Sequence, residues 1–332
     1  MTGTEQYEAK IISKTQDFID NSKYKKLLKN YFNFIQSSSL SSRYEYVVKV
    51  SNFLDYVKKD ITEIGVDDII DYLSYKEFKP DGSRYTSSYR ISIYTALLHL
   101  FDYAHSADII TKNPMTGIKR PKKVETQKTI EKRAKGYLTK KEIKKVLQNV
   151  EEGVGSGKAR THQKKMKERD MLIFMIFLTT GIRCSALTKL DIDNLDLEGK
   201  ILWVTDKGDK VKKIELCDDV ITIAKKWLLI REQYCGQEEK GLFVSAIGKR
   251  MANAAVYKVI KKYTATISDK KITPHKLRAT YGTQLYNMTH DIYFVQKCMG
   301  HSSPTTTELY IRESSRETKT ASELLARSIR RN

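Results

Sequence analysis

Apolar side chains recur every three or four positions through much of the first 117 residues. Tyr44, Val47, Val50, Phe53, Leu54 and Val57 share one face of a helix expected over residues 41–58, entered from serines that offer N-caps. Ile69, Ile70 and Leu73 predict a short helix opening at Val66-Asp67-Asp68, and Tyr94, Leu97, Leu98, Phe101 and Ala104 predict another over 87–105. One or two more helices precede them, over 11–19 and 25–35. Lys79-Pro80-Asp81-Gly82-Ser83 interrupts the pattern as a turn, and Asn113-Pro114-Met115-Thr116-Gly117 stops it. Residues 118–135 are basic and polar, with no apolar period, which is the pattern of a linker.

A second pattern starts at Thr139, which with Glu142 forms a capping box ahead of Ile143, Val146 and Leu147. The glycines of 153–157 then lead into a flexible basic loop carrying Lys158, Arg160, Lys164, Lys165 and Lys167. Residues 170–180 predict a buried helix. Ile201-Leu202-Trp203-Val204 and Lys213-Ile214-Glu215-Leu216 predict two strands around a Lys207-Gly208-Asp209-Lys210 turn, with Leu242-Phe243-Val244 as a third short strand. The remainder is mostly helical, and no repeat is visible. The expected fold is mainly α with a small β-sheet: an all-helical N-terminal domain and a mixed α/β domain. The divisions fall at 1–36 (a helical extension), 37–117 (the helical domain), 118–136 (the linker) and 137–332 (the second domain).

Composition narrows the class of protein. Sixty basic against forty acidic side chains give a net charge of +20, spread along the whole chain rather than held in one tail. That excess points to a polyanionic partner, of which nucleic acid is the commonest. No apolar run approaches the roughly 18 residues that cross a bilayer, and the first ten residues carry no signal-peptide core, so a cytoplasmic protein without a membrane partner is expected. Cys184, Cys217, Cys235 and Cys298 are too scattered for a paired metal site and are expected to be reduced structural thiols. No metal and no cofactor are expected.

The chemistry sits late in the chain. His275, Arg278, His301 and Tyr310 supply two imidazoles, a guanidinium and a phenol, and Arg183 adds a second guanidinium upstream. Guanidinium and imidazole donate to phosphate oxygens, and a phenol can attack phosphorus, so the set suggests phosphodiester cleavage without a metal. Each of these residues taken singly has an ordinary structural reading as a packing tyrosine, a core histidine or a salt-bridge arginine.

Thr180-Gly181-Ile182-Arg183 after a buried helix, Lys207-Gly208 in a hairpin turn, Thr273-Pro274-His275 with Arg278, Met299-Gly300-His301, and then Tyr310 resemble the motifs of the tyrosine recombinase (phage integrase) family. Its Xer-like and transposon-encoded members are the most similar, and the resemblance runs over about residues 37–315. It implies a core-type DNA-binding helical domain followed by a catalytic domain, and a site-specific recombinase joining paired sites in double-stranded DNA. Its implied roles put Arg183, Arg278 and His301 on the scissile phosphate, Tyr310 as nucleophile, His275 as acceptor of its proton and Lys207 as general acid. Lys210, Lys212 and Lys213 are neighbouring alternatives for that last role. The family usually carries an acidic residue three positions after its first arginine, where this chain has Ala186. Orientation of Arg183 is then expected to come from another acceptor, such as a backbone carbonyl.

The DNA contacts expected are Arg84 and Arg90 in the helical domain, Lys119, Arg120, Lys122 and Lys123 in the linker, and Lys158, Arg160, Lys164 and Lys165 in the basic loop. Sequence does not distinguish whether each reads a guanine or grips a phosphate. Ala321, Leu324, Leu325 and Ile329 keep a helical spacing after Tyr310. The resemblance implies that such a helix is exchanged between protomers of a homotetramer on two duplexes, the alternative being a helix folded back on its own domain. No small-molecule substrate is implied, and a bacterial or mobile-element origin is. Two rivals stay open: a type IB topoisomerase-like enzyme with the same tyrosine chemistry, and a DNA-binding or architectural protein with a silent core.

Overall fold

The computed structural model describes residues 3–124, 136–205, 211–267 and 270–300, which fall into two compact units dividing at Thr126 and Gln127. In the first unit the helices are α1 (Gly3–Asp20), α2 (Lys25–Phe34), α3 (Leu40–Val57), α4 (Val66–Tyr75) and α5 (Ser87–Ser106). Their starts follow local chemistry. Ser39 accepts from the Ser42 N–H ahead of α3, Thr86 accepts from the Tyr89 N–H ahead of α5, and the Asp68 carboxylate reaches back to the Gly65 N–H at the start of α4. The predicted stripes supply most of the core, although Ile70 of α4 is exposed. Phe53 of α3 meets Tyr72 of α4 and Phe101 of α5 with ring centroids 5.1 and 6.1 Å away. The helices α1 and α2 share this core through Ile19, Leu28 and Tyr31, and the buried Tyr31 hydroxyl donates to the Ala96 carbonyl at 3.0 Å.

The second unit holds α6 (Lys140–Glu152), α7 (Gly157–Lys165), α8 (Lys167–Thr180), α9 (Cys184–Lys189), α10 (Asp218–Arg231), α11 (Asn253–Thr264), α12 (Pro274–Thr289) and α13 (Ile292–Met299). Its antiparallel sheet has the order β1 (Leu195–Asp196), β2 (Ile201–Thr205), β3 (Val211–Glu215). The Thr139 and Glu142 capping box is present, each side chain binding the other residue's N–H. Helix α8 is apolar on all sides because it is central, lying against α6, α10 and α12. Leu202 and Val204 point into the core while Trp203 faces out, as a two-residue period requires.

Two expectations are corrected. Leu242-Phe243-Val244 is fully buried but is not a strand of the sheet; Leu195 and Asp196 supply the third strand. Side chains meet two of its carbonyls, Leu242 O accepting from Trp227 Nε1 at 2.9 Å and Val244 O from the Arg169 guanidinium at 2.8 Å, while Leu242 N donates to Leu190 O and Phe243 O accepts from Met251 N. The basic loop is also ordered, forming helix α7. Gln163, itself buried, donates to Val154 O and accepts from Val154 N, and Arg160 Nε donates to Glu152 O, so the helix is strapped to the end of α6.

Asp170, with no exposed surface, is the polar centre of this unit. One carboxylate oxygen accepts from Arg169 at 2.6 and 2.9 Å, and the other from Lys262 Nζ at 3.0 Å and Tyr263 Oη at 2.9 Å. Burial, with the Asp170 charge beside it, holds the Tyr263 phenol far above its ordinary pKa, as a permanent donor. Both tryptophans of the chain, Trp203 and Trp227, lie in the second unit, so tryptophan fluorescence reports that unit alone. Asp170→Ala should strand the buried Arg169 cation and lower that unit's stability by about 3–5 kcal/mol in a urea titration. Tyr263→Phe should cost about 1 kcal/mol. A loss below about 1 kcal/mol for Asp170→Ala contradicts the network's role.

Candidate active site

The site is built around the start of α12. Thr273 caps that helix by accepting from the Lys276 N–H and Pro274 occupies its first turn, which fixes where His275 and Arg278 stand. His275 is exposed at the helix entrance. Arg278, one turn further on, is only 5% exposed. Its guanidinium donates from one terminal nitrogen to Gly181 O and from the other to Met299 O, each at 2.5 Å. Those carbonyls end two other helices. Gly181 closes α8 and Met299 is the last residue of α13.

Both helices stop in the left-handed conformation, at Gly181 (φ 62°) and Gly300 (φ 62°). Gly181 is required twice over, because a Cβ there would stand 2.3 Å from the ring of Tyr281. Two residues on, Arg183 is the half-buried N-cap residue of α9. Ala186, where an acidic residue is usual, sits in the apolar core with Leu187 at 5% exposure. Burial pushes the neighbouring Cys184 thiol up to about 12, which leaves it protonated and unreactive. Burial, with Cys298 beside it, likewise pushes the Tyr281 phenol up to about 12.

Arg183, His275 and Arg278 are thus borne by segments tied through one guanidinium. Lys207, His301 and Tyr310 lie outside the described residues, as does the segment from 301 to 332. Lys207 belongs to the connection between Thr205 and Val211, which pair across β2 and β3, and His301 follows Gly300 directly. Tyr281 escaped the sequence reading, and the structural roles of Lys212 and Met299 were not foreseen in it. Tyr281 packs on Gly181, Lys212 of β3 donates to the Cys298 carbonyl, and Met299 offers the acceptor that Arg278 uses. Strand alternation carried a signal for Lys212, since it shares the inward side of β3 with Ile214.

The expected DNA contacts divide between the units. In the first, the Glu77 carboxylate lies 3.5 Å from both Arg84 and Arg90, and Lys119, Arg120, Lys122 and Lys123 are exposed. In the second, Lys158, Arg160, Lys164 and Lys165 are exposed on α7. Among the described residues no cluster of three or more histidines, cysteines or acidic residues is placed to hold a metal, and no helix is long and apolar enough to cross a membrane. The close approach at Gly181 yields a test. Gly181→Ala should lower the second unit's stability by about 2 kcal/mol, more than a left-handed alanine alone, and should slow any reaction that uses Arg183. A loss of about 0.5 kcal/mol or less would show that Tyr281 does not constrain this turn.

Comparison with known proteins places the chain. The model of the phage integrase family matches residues 136–317, more than half of the chain. The tyrosine recombinase XerC of Caldanaerobacter subterraneus subsp. tengcongensis is 28% identical over 323 residues, covering 90% of this chain and 86% of the relative. The tyrosine recombinase XerS of Lactococcus lactis subsp. cremoris is 27% identical over 320 residues, covering 85% and 90%. In fold, the chain is similar to the XerH site-specific recombinase bound to palindromic difH substrate, with a TM-score of 0.64 at 22% identity over 86% of this chain and 80% of that one. It is also similar to the Tn1549 transposon integrase in complex with circular intermediate DNA, with a TM-score of 0.60 at 20% identity over 86% and 94%. Taken with the mostly helical architecture and its small antiparallel sheet, the family match shows that this chain belongs to the phage integrase family, the tyrosine recombinases.

Proposed function

We propose that this chain is a site-specific DNA recombinase that cuts and rejoins one pair of strands at a time through a 3′-phosphotyrosyl intermediate and a Holliday junction. The observation that carries the reading is Arg278. Its side chain is buried where the Arg183 turn and the turn before His301 meet, and its two carbonyl bonds fix the plane of the guanidinium. A donor fixed before substrate arrives stabilises developing charge without reorganising, which is the condition for a large electrostatic contribution to rate.

The Tyr310 oxygen attacks the scissile phosphorus and its proton passes to His275. The bond from phosphorus to the 5′ oxygen breaks, and Lys207 supplies a proton to that leaving oxygen. Arg183, Arg278 and His301 hold the non-bridging oxygens, on which negative charge accumulates in the pentavalent state. A free 5′ hydroxyl and a 3′-phosphotyrosyl link result. The link conserves the bond's energy, so a second strand's 5′ hydroxyl can reverse the step without ATP. Paired sites in double-stranded DNA are the substrate, held by a homotetramer that exchanges the helix following Tyr310. The net charge of +20 and the exposed cations of both units support DNA as the partner. Bacterial relatives support action in the bacterial cytoplasm.

Two measurements test the proposal. With a duplex nicked beside the cleavage point, the wild-type chain should accumulate a covalent protein–DNA adduct that is absent in Tyr310→Phe. Arg278→Lys should form the adduct about 100- to 1000-fold more slowly. Lack of any adduct on cognate DNA would favour a silent DNA-binding protein instead. Affinity for the site should also fall steeply with salt, with a log–log slope on the order of −5 or steeper. A nearly flat plot would rule out a phosphate-gripping surface of this extent.

A further inference from the structure

We infer that Lys212 is a positioning residue for strand cleavage, one that fastens strand β3 to the end of α13. The inference rests on the recombinase reading above and adds to it a residue whose side chain stays on the protein backbone rather than on DNA. Lys212 is half-buried and reaches from β3 to donate its ammonium to the Cys298 carbonyl. The next carbonyl along the chain, Met299 O, is the one held by Arg278. Two cations from different elements therefore occupy consecutive carbonyls at the C-terminal end of one helix, where the helix dipole is negative. Gly300 then turns the chain away.

The placement has a mechanical consequence. Strand β3 is paired along its whole length with β2, with Val204 opposite Lys212 and Thr205 opposite Val211. Whatever fixes β3 fixes both ends of the connection between these strands, and Lys207 lies in that connection by sequence. The same ammonium braces the turn that enters His301. Val211 and Lys213, the flanking residues of β3, are exposed, so the strand's alternation alone turns Lys212 inward. A positional error of about 1 Å in a reacting group is enough to cost on the order of 100-fold in rate.

The test compares Lys212→Met, Lys212→Arg and Lys207→Met in the full-length chain, with Lys226→Met on α10 as an exposed-charge control. Each is assayed on a nicked duplex with the ordinary 5′ oxygen at the cleavage point and on the same duplex with a bridging 5′ sulfur. The sulfur departs as a thiolate when the phosphorus–sulfur bond breaks, so it needs no proton. On the ordinary duplex Lys212→Met should cut about 10- to 100-fold more slowly. Lys212→Arg should recover to within roughly threefold of wild type, since a guanidinium can still donate to the carbonyl, and Lys226→Met should be unchanged. On the sulfur duplex the Lys212→Met defect should shrink to roughly threefold. Equal slowing of Lys212→Met on both duplexes, or no slowing, overturns the inference. So does a Lys212→Arg chain as slow as Lys212→Met with both restored by sulfur, because Lys212 would then be the proton donor itself. Lys207→Met separates the two levels: if sulfur fails to restore it, the donor assigned above is wrong. If sulfur restores Lys207→Met but not Lys212→Met, only the present inference fails.

Discussion

The Arg278 guanidinium donates to the carbonyls of Gly181 and Met299, two residues far apart in the sequence that each end a helix. Backbone carbonyls at helix ends have no partner within the helix, so each needs a donor from elsewhere when buried. A planar group with five N–H donors can meet two such needs at once and hold a fixed direction while doing so. The turn that leads to Arg183 and the turn that leads to His301 are thereby set against α12, which also carries His275. Convergence of the groups proposed to bind phosphate follows here from ordinary satisfaction of buried backbone, with one cation serving both ends.

That arrangement depends on a stiff floor. Helix α8 delivers Gly181, and it packs against α6, α10 and α12. At its start, Asp170 gathers Arg169, Lys262 and Tyr263, and Arg169 in turn holds the Val244 carbonyl. A buried carboxylate is costly unless it is fully paired, and this one receives donors on both oxygens. The network fixes α8 relative to α11 and to the buried 242–244 segment, and so fixes the far end from which the Arg183 turn departs. Lys212 adds a third tie, from the sheet to α13.

Much of this was legible in the sequence, and the reasons are specific. Helices α3, α4 and α5 followed from 3–4 spacing, α3 also from the serines ahead of it, and the Thr139 and Glu142 box fell where its pattern put it. Arg183, His275 and Arg278 were identifiable from their phosphate-binding side-chain types and, with Gly181, from their resemblance to the family's motifs; the left-handed glycine and helix-start proline that hold them are seen in the structure. What could not be read was tertiary. Leu242-Phe243-Val244 has the composition of a strand, yet two of its carbonyls are taken by Trp227 and Arg169, whose approach no local rule foretells. The basic stretch after Gly157 looked like a loop because its helix is stabilised by Gln163 binding Val154 rather than by an apolar stripe. Lys212 looked like one of several hairpin lysines until its contact with Cys298 set it apart.

The central claim is that one buried guanidinium assembles the phosphate site from separate turns. It is tested most directly by a structure of this chain on its cognate DNA with vanadate in place of the scissile phosphate. The account predicts Arg278 still bonded to Gly181 O and Met299 O, with Arg183 and Arg278 both on equatorial vanadate oxygens and the Tyr310 oxygen in line opposite the 5′ oxygen. Arg278 released from both carbonyls, or directed away from the vanadate while the tyrosine is engaged, would contradict it.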